Sequence, residues 1–310
     1  MKILFMGTPL FAKEILQHLL SFNFLEIVGV VCQPDRKAGR KKLIITSEVK
    51  QLAISKKLKL YQPENINQIT EELLKLKPEL IITCAYGQFL GTKVLNLALK
   101  GCLNIHASLL PKLRGGAPIQ WAIIKRYPFT GISLMQTILK MDAGPVFVQE
   151  KINIAEDDTT DSLTSKLIFL AKTMLSKYLE DILKGKIKAN VQNENEVTYA
   201  LNIKREDEKI DWNQEVQAVD AKIKALFSQP LAYTMHGQKI YKIAKSKIYD
   251  YNKKIANPGT IIDFHPEGIE VQTKKGSMLI NKLQPESKRL MDVKSFYQGK
   301  HDLKIGNQFK

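Results

Sequence analysis

The chain is short of several things that a 310-residue sequence could use. It has three cysteines, Cys32, Cys84 and Cys102, each inside an apolar run. None has the spacing that binds zinc, and an odd set of core cysteines does not staple a secreted domain. They read as reduced core residues, with no disulfide and no metal expected. No apolar run approaches the ~20 residues that a membrane-spanning helix needs. Met1 leads directly into an apolar strand, so no signal or transit peptide is read there and a cytoplasmic, bacterial-type location is expected. Neither GxGxxG nor GxxxxGK[ST] occurs, which removes sequence support for a dinucleotide or a P-loop nucleotide. Acidic residues are also scarce: 31 Asp and Glu stand against 47 Lys and Arg, a formal charge of +16. Such an excess suits a polyanion such as RNA, because phosphates attract Lys and Arg and shed counterions on binding. Lysine spread over helix surfaces gives the same balance.

What is present is an alternation of apolar strands and amphipathic helices. Residues 2–7 read as a buried strand, 9–21 as a helix and 26–32 as a second strand. The order continues with helix 47–57, a short strand at 59–61, helix 67–76, strands at 79–85 and 101–105, helix 117–125, a strand at 131–139 and a long helix at 159–184. This βαβ alternation predicts an α/β fold with a doubly wound, mostly parallel sheet. A length of 310 residues favours two domains. Near the end, Ile269, Val271 and Thr273 alternate along one strand, and Met278 and Ile280 along the next, past a Lys274-Lys275-Gly276 turn.

The stretch that organises the rest is 101–120, GCLNIHASLLPKLRGGAPIQ. A strand ending here delivers its loop to the sheet's carboxyl edge, where open parallel sheets bind ligands. Asn104 and His106 are two apart, so an extended backbone puts both side chains on one side. An amide NH2 facing an oxygen that gains charge, with an imidazole to move a proton, suits acyl transfer. The plainer reading is a strand-end pair that ties down the next loop. In that loop Pro111 and Pro118 fix φ while Gly115 and Gly116 permit close backbone approach, which suits a flat heterocycle. Asp142 lies in the turn MDAG; turn aspartates are common, but beside an imidazole a carboxylate fixes the ring's tautomer. Residues 33–42, QPDRKAGRKK, crowd Arg36, Lys37, Arg40, Lys41 and Lys42 around one glycine, either as a solvated face or as a phosphate clamp. Tyr86 and Gly87 follow strand 79–85 and read as a pocket wall or as core packing and a turn.

Taken together, ILFMGTPLFA at the start, QPDRKAGR, AYGQFL, NIHASLLP with RGGAPIQ after it, and MDAG resemble the folate-dependent formyltransferase family over essentially the whole chain. The resemblance puts Asn104, His106 and Asp142 on the family's catalytic amide, imidazole and carboxylate. It puts Ser108, Leu109, Leu110 and Pro111 on its folate-binding segment, with Tyr86 and Gly87 beside them. It implies 10-formyltetrahydrofolate as formyl donor, without a metal. The C-terminal part resembles the family's smaller OB-like β-barrel, which implies residues 1–185 as catalytic domain, 186–207 as linker and 208–310 as a tRNA-binding barrel. With the basic loop, this points to a branch whose acceptor is the methionine α-amino group on initiator tRNA, working as a monomer. Lys239, Lys242, Lys245, Lys247, Lys253 and Lys254 line the barrel region. Lys41 stands where the family usually has glycine, and Lys224 where it usually has arginine. Two alternatives stay open: a relative that formylates a sugar-nucleotide amine or glycinamide ribonucleotide, and a non-enzymatic RNA-binding protein.

Overall fold

KILFMG forms β1 (Lys2–Gly7), buried from Ile3 onward, as a central parallel strand covered on both faces must be. A computed structural model describes residues 1–38 and 43–310. After β1 come α1 (Leu10–Leu19), β2 (Glu26–Val31), β3 (Arg36–Ala38), β4 (Leu43–Ile45), α2 (Glu48–Ser55), β5 (Leu60–Tyr61), α3 (Thr70–Leu74), β6 (Leu80–Cys84), α4 (Thr92–Leu95) and β7 (Cys102–His106). The chain continues through α5 (Pro118–Ile124), β8 (Phe129–Gln136), β9 (Val146–Asn153) and α6 (Thr160–Leu183). Seven strands make one sheet in the order β5-β2-β1-β6-β7-β8-β9. Pairing is parallel from β5 to β7 and turns antiparallel at β7–β8. The chain winds outward from β1 in one direction to β2 and β5, and in the other from β6 to β7, so the switch point lies between β1 and β6. This is the expected doubly wound α/β sheet.

Local signals explain most boundaries. Ser47 caps α2, its side chain accepting the Lys50 N–H at 3.1 Å. On α1, Phe11, Ala12, Ile15, Leu16 and Leu19 recur at helical spacing and are buried. Each large side chain so buried contributes ~1.5–3 kcal/mol. The basic stretch differs from its reading as a plain loop: Arg36–Ala38 pairs antiparallel with Leu43–Ile45. β9 and α4 were not legible at all, β9 because its burial alternates around charged residues.

The chain divides into two compact units, Met1–Pro118 with Thr130–Ile152 and Thr164–Leu201, and Ile119–Phe129 with Asn153–Leu163 and Asn202–Lys310. The second contains α7 (Val216–Ala225), β10 (Ala232–His236), β11 (Lys239–Asp250), β12 (Ile261–His265), β13 (Gly268–Gln272), β14 (Ser277–Pro285), β15 (Met291–Asp292) and α8 (Val293–Gln298). Its sheet is antiparallel, ordered β10-β11-β14-β13-β12, with β15 on β14. Trp212, Val216, Ile243, Val271, Ile280 and Phe309 are among its core residues, and the Trp212 and Phe309 rings stack at 6.0 Å. Among the described residues the end strands β10 and β12 do not pair, so the expected barrel is a separate antiparallel β domain without strand-to-strand closure. The C-terminal residues lie between those ends: Met235 exchanges two backbone hydrogen bonds with Lys310, while Ile261 N–H donates to Asn307 O and Phe309 N–H to Gly259 O.

Candidate active site

The carboxyl ends of β6 and β7 meet at the switch-point side of the sheet, with Thr83 and Asn104 direct neighbours in register. Asn104 Oδ1 accepts the Thr83 hydroxyl at 3.0 Å. No acceptor meets its Nδ2 among the described residues, which leaves a half-buried donor open to an incoming oxygen. His106 is buried at 6 % exposure. Its Nε2 donates to Leu113 O at 3.1 Å, and its Nδ1 lies 3.7 Å from Asp142 Oδ1. The other carboxylate oxygen, Oδ2, accepts the Gly115 N–H at 2.8 Å. His106 and Asp142 therefore come together, the carboxylate arriving from a turn 36 residues beyond His106, while Asn104 stands two residues before His106 on the same strand.

Strain marks this edge. Ala85, Leu113 and Asp142 have φ of 46°, 61° and 47°, left-handed values that cost a non-glycine residue ~1–3 kcal/mol and persist only where surroundings fix them. Asp142 tolerates it best, and its turn is pinned by space: a Cβ on Gly144 would sit 1.7 Å from Gln136 O. Gly115 has φ +129°, and a Cβ there would meet Ala200 O at 2.5 Å.

The residues expected to hold folate have varied placements. Ser108 is fully buried, its hydroxyl donating to Lys112 O at 2.6 Å. Leu110 packs with Met135 and Val146, and its N–H donates to Ser133 Oγ at 3.2 Å. Gln149 Nε2 donates to Leu110 O and to Ser133 Oγ, both at 2.8 Å, so β8 and β9 hold the segment rigid. Leu109 and Pro111 are half-buried and Lys112 exposed. The Tyr86 ring lies in the core with Leu4, Met6 and Cys102, and burial pushes its phenol above the ordinary range. Its carbonyl accepts from Thr8 Oγ1 at 3.1 Å and Gln33 Nε2 at 3.2 Å, tying the loops after β1 and β2 together. Gly87, at φ +87°, is exposed.

Of the basic loop, Arg36 is exposed and 3.7 Å from Glu64, a solvent-facing pair worth little. Lys37 lies on β3; Arg40, Lys41 and Lys42 lie outside the described residues. In the β domain, Lys239 pairs with Asp302, Lys242 donates to Pro230 O, and Lys253 pairs with Glu270. Lys245, Lys247 and Lys254 are exposed with no partner among the described residues. Lys224 pairs with Asp220 and donates to Glu156 O at 2.8 Å.

Burial also disarms the thiols closest to the site. Cys84 is pushed far up by desolvation, and Cys102 to about 11, burial outweighing its hydroxyl contacts. Neither is a thiolate nucleophile at neutral pH. Among the described residues no cluster of three or more His, Cys, Asp or Glu is placed for a metal, and no helix is long and apolar enough to cross a membrane.

Sequence reasoning missed several supports of this site. Thr83 carried a signal, a polar residue in the otherwise apolar run LIITC. Arg114, Ser133 and Gln192 carried none that separates them from surface polar residues.

An amide, an imidazole and a carboxylate at the edge of a doubly wound sheet are the groups that acyl transfer uses, and the comparisons give the family. Residues 1–179 match the Formyl transferase family and residues 202–301 the Formyl transferase, C-terminal domain, family; the chain belongs to the formyltransferases. Within that family it is 45% identical over 312 residues to methionyl-tRNA formyltransferase of Mycoplasma capricolum subsp. capricolum, covering 99% of this chain and 98% of that protein. It is 38% identical over 314 residues to methionyl-tRNA formyltransferase of Lactococcus lactis subsp. lactis, covering 99% and 98%. Two solved structures share the fold. One is an N-formyltransferase from Helicobacter canadensis, with TM-score 0.69, 17% identity, and 90% of this chain and 98% of that one covered. The other is HypX from Aquifex aeolicus in complex with tetrahydrofolic acid, with TM-score 0.64 and 18% identity; 95% of this chain is covered but only 46% of HypX.

Proposed function

We propose that this chain transfers the formyl group of 10-formyltetrahydrofolate to the α-amino group of methionine on initiator tRNA. The observation that carries it is an Asn104 amide, its oxygen held by Thr83 and its NH2 without an acceptor among the described residues, two residues before a buried His106 set against Asp142. The folate is a substrate here, supplying a formyl carbon attached to N10. As the methionine nitrogen attacks that carbon, the formyl oxygen gains charge, and Asn104 Nδ2 donates to it. His106 has Nε2 committed to Leu113 O, so proton traffic runs at Nδ1. The ring takes the proton that the amine sheds and returns it to N10 as the C–N10 bond breaks. The balance is one C–N bond formed, one broken and one proton moved. Asp142, steadied by the Gly115 N–H, orients the ring and stabilises its positive charge. With the nearby thiols protonated and buried, transfer is direct.

Ser108, Leu109, Leu110 and Pro111, with Tyr86 and Gly87, shape the folate site, the half-buried Leu109 and Pro111 and the exposed Gly87 offering the contact surface, since the Ser108 hydroxyl, the Leu110 backbone and the Tyr86 ring and carbonyl are occupied within the protein. Arg36, Lys37, Arg40, Lys41 and Lys42 clamp phosphates of the acceptor end, and the domain at 208–310 adds Lys245, Lys247 and Lys254. The enzyme works in the cytoplasm as a monomer. The test is incubation with labelled formyl donor and three acceptors: methionyl initiator tRNA, the same tRNA uncharged, and a dTDP-amino sugar. Label on the charged tRNA alone supports this reading; label on the sugar and none on tRNA overturns it.

A further inference from the structure

The stretch 190–200 lies within the segment expected to link two domains, yet it is built into the catalytic edge. Asn190 exchanges two backbone hydrogen bonds with Val146, both at 2.8 Å. Thr198 Oγ1 accepts the Leu113 N–H at 2.9 Å, Thr198 O accepts the Arg114 N–H at 2.9 Å, and Ala200 N–H donates to Arg114 O at 2.7 Å. Between these anchors sits Gln192, buried at 7 % exposure. Its amide nitrogen donates to Asp142 O at 2.8 Å and Gly144 O at 2.7 Å. Its amide oxygen accepts Arg114 Nε at 3.0 Å and a terminal guanidinium nitrogen at 2.8 Å. Arg114 is fully buried, and that same terminal nitrogen also reaches Glu194 at 2.9 Å.

One side chain thus joins the two segments that face His106 from opposite nitrogens. The turn at Asp142 supplies the carboxylate near Nδ1; the loop with Leu113 and Arg114 supplies the carbonyl at Nε2. Asp142 is left-handed, so its turn relaxes unless something holds it, and the two carbonyls that Gln192 fills are the groups such relaxation would move. A buried guanidinium also demands a fixed acceptor, which makes the Gln192 position expensive to vary.

We propose that Gln192 is a positioning residue: it sets the distance between Asp142 and His106 and thereby the rate of formyl transfer, without touching substrate. The proposal rests on the catalytic role of the pair given above. Gln192→Glu separates the two halves of the interaction, because a carboxylate keeps the bond to Arg114 but has no N–H for the Asp142 and Gly144 carbonyls. In the full chain, Gln192→Glu and Gln192→Ala are expected to lower kcat on the order of 10- to 100-fold, the scale of a catalytic group misplaced by about an ångström. KM for both substrates is expected to stay within about 3-fold. Asp142→Asn supplies the cross-check: if Gln192 acts through Asp142, adding Gln192→Glu to Asp142→Asn costs little more than Asp142→Asn alone. Full kcat in a folded Gln192→Glu variant, or a loss that multiplies undiminished onto Asp142→Asn, overturns the proposal while leaving the catalytic pair intact. Wild-type kcat in Asp142→Asn overturns both.

Discussion

Thr83 Oγ1 donates to Asn104 Oδ1 across adjacent parallel strands, at 3.0 Å and in direct register. The bond decides which end of the amide is free, since an occupied oxygen leaves the NH2 as the open end. Thr83→Val removes it with little change of shape. Losing a hydrogen bond to a half-buried polar group costs ~1–3 kcal/mol, about 5- to 150-fold if it falls on the transition state. We expect Thr83→Val to lower kcat in that range with unchanged folding, and Thr83→Ser to restore most of it, both read by steady-state formylation.

Gly144 tests the packing of the Asp142 turn. Its absent side chain is the space that Gln136 O occupies, 1.7 Å from where a Cβ would be. Gly144→Ala must push β8 or the turn aside, a strain of ~1–3 kcal/mol or more. At ~2–4 °C per kcal/mol for a domain of this size, thermal unfolding is expected to drop by about 2–12 °C. Activity per folded molecule is expected to fall with it.

The strap at 190–200 has a pH signature. Arg114 first, then Lys140, hold the Glu194 carboxyl down at about 2, against an ordinary 4.5. A carboxyl depressed on folding contributes stability above its unfolded value and loses it as pH falls through the folded one. The wild type is therefore expected to melt above Glu194→Gln at pH 5 and higher, with the difference closing between pH 4.5 and about 2. Because Glu194 is 55% exposed, the gap at pH 5 is expected to shrink in 1 M salt.

The basic hairpin is tested by salt. Among the described residues Arg36 has only a long, exposed pairing with Glu64, so its charge is available to a phosphate. Arg36→Ala with Lys37→Ala is expected to weaken binding of initiator tRNA and to reduce the slope of log K against log salt by about 1 per lost contact. The turnover of bound tRNA should change little. An unchanged slope would place the tRNA contacts elsewhere.

Much of this was legible in the sequence because strands covered on both faces leave mostly apolar runs, and LIITC and KILFMG are such runs. Asn104 and His106 were readable for a similar reason: polar residues at the end of a buried strand have to face something. Asp142 needed the resemblance, since a turn aspartate is ordinary by itself. Gln192 and Arg114 were not legible as partners, because 78 residues separate them and nothing local distinguishes a glutamine inside an extended polar stretch. The same stretch looked like a linker because its backbone pairs with a loop and a strand end, which leaves no periodic pattern. Tyr86 stayed open in the sequence between a pocket wall and core packing, because an aromatic next to a glycine suits both, and its ring lies in the core.

The most direct measurement is single-turnover formyl transfer to methionyl initiator tRNA by wild type and Asn104→Ala, each saturated with folate and tRNA and each confirmed folded by its melting curve. A loss of about 100- to 1000-fold in the transfer rate is expected, the usual cost of one oxyanion donor. A folded Asn104→Ala that transfers at the wild-type rate would contradict the mechanism at its centre.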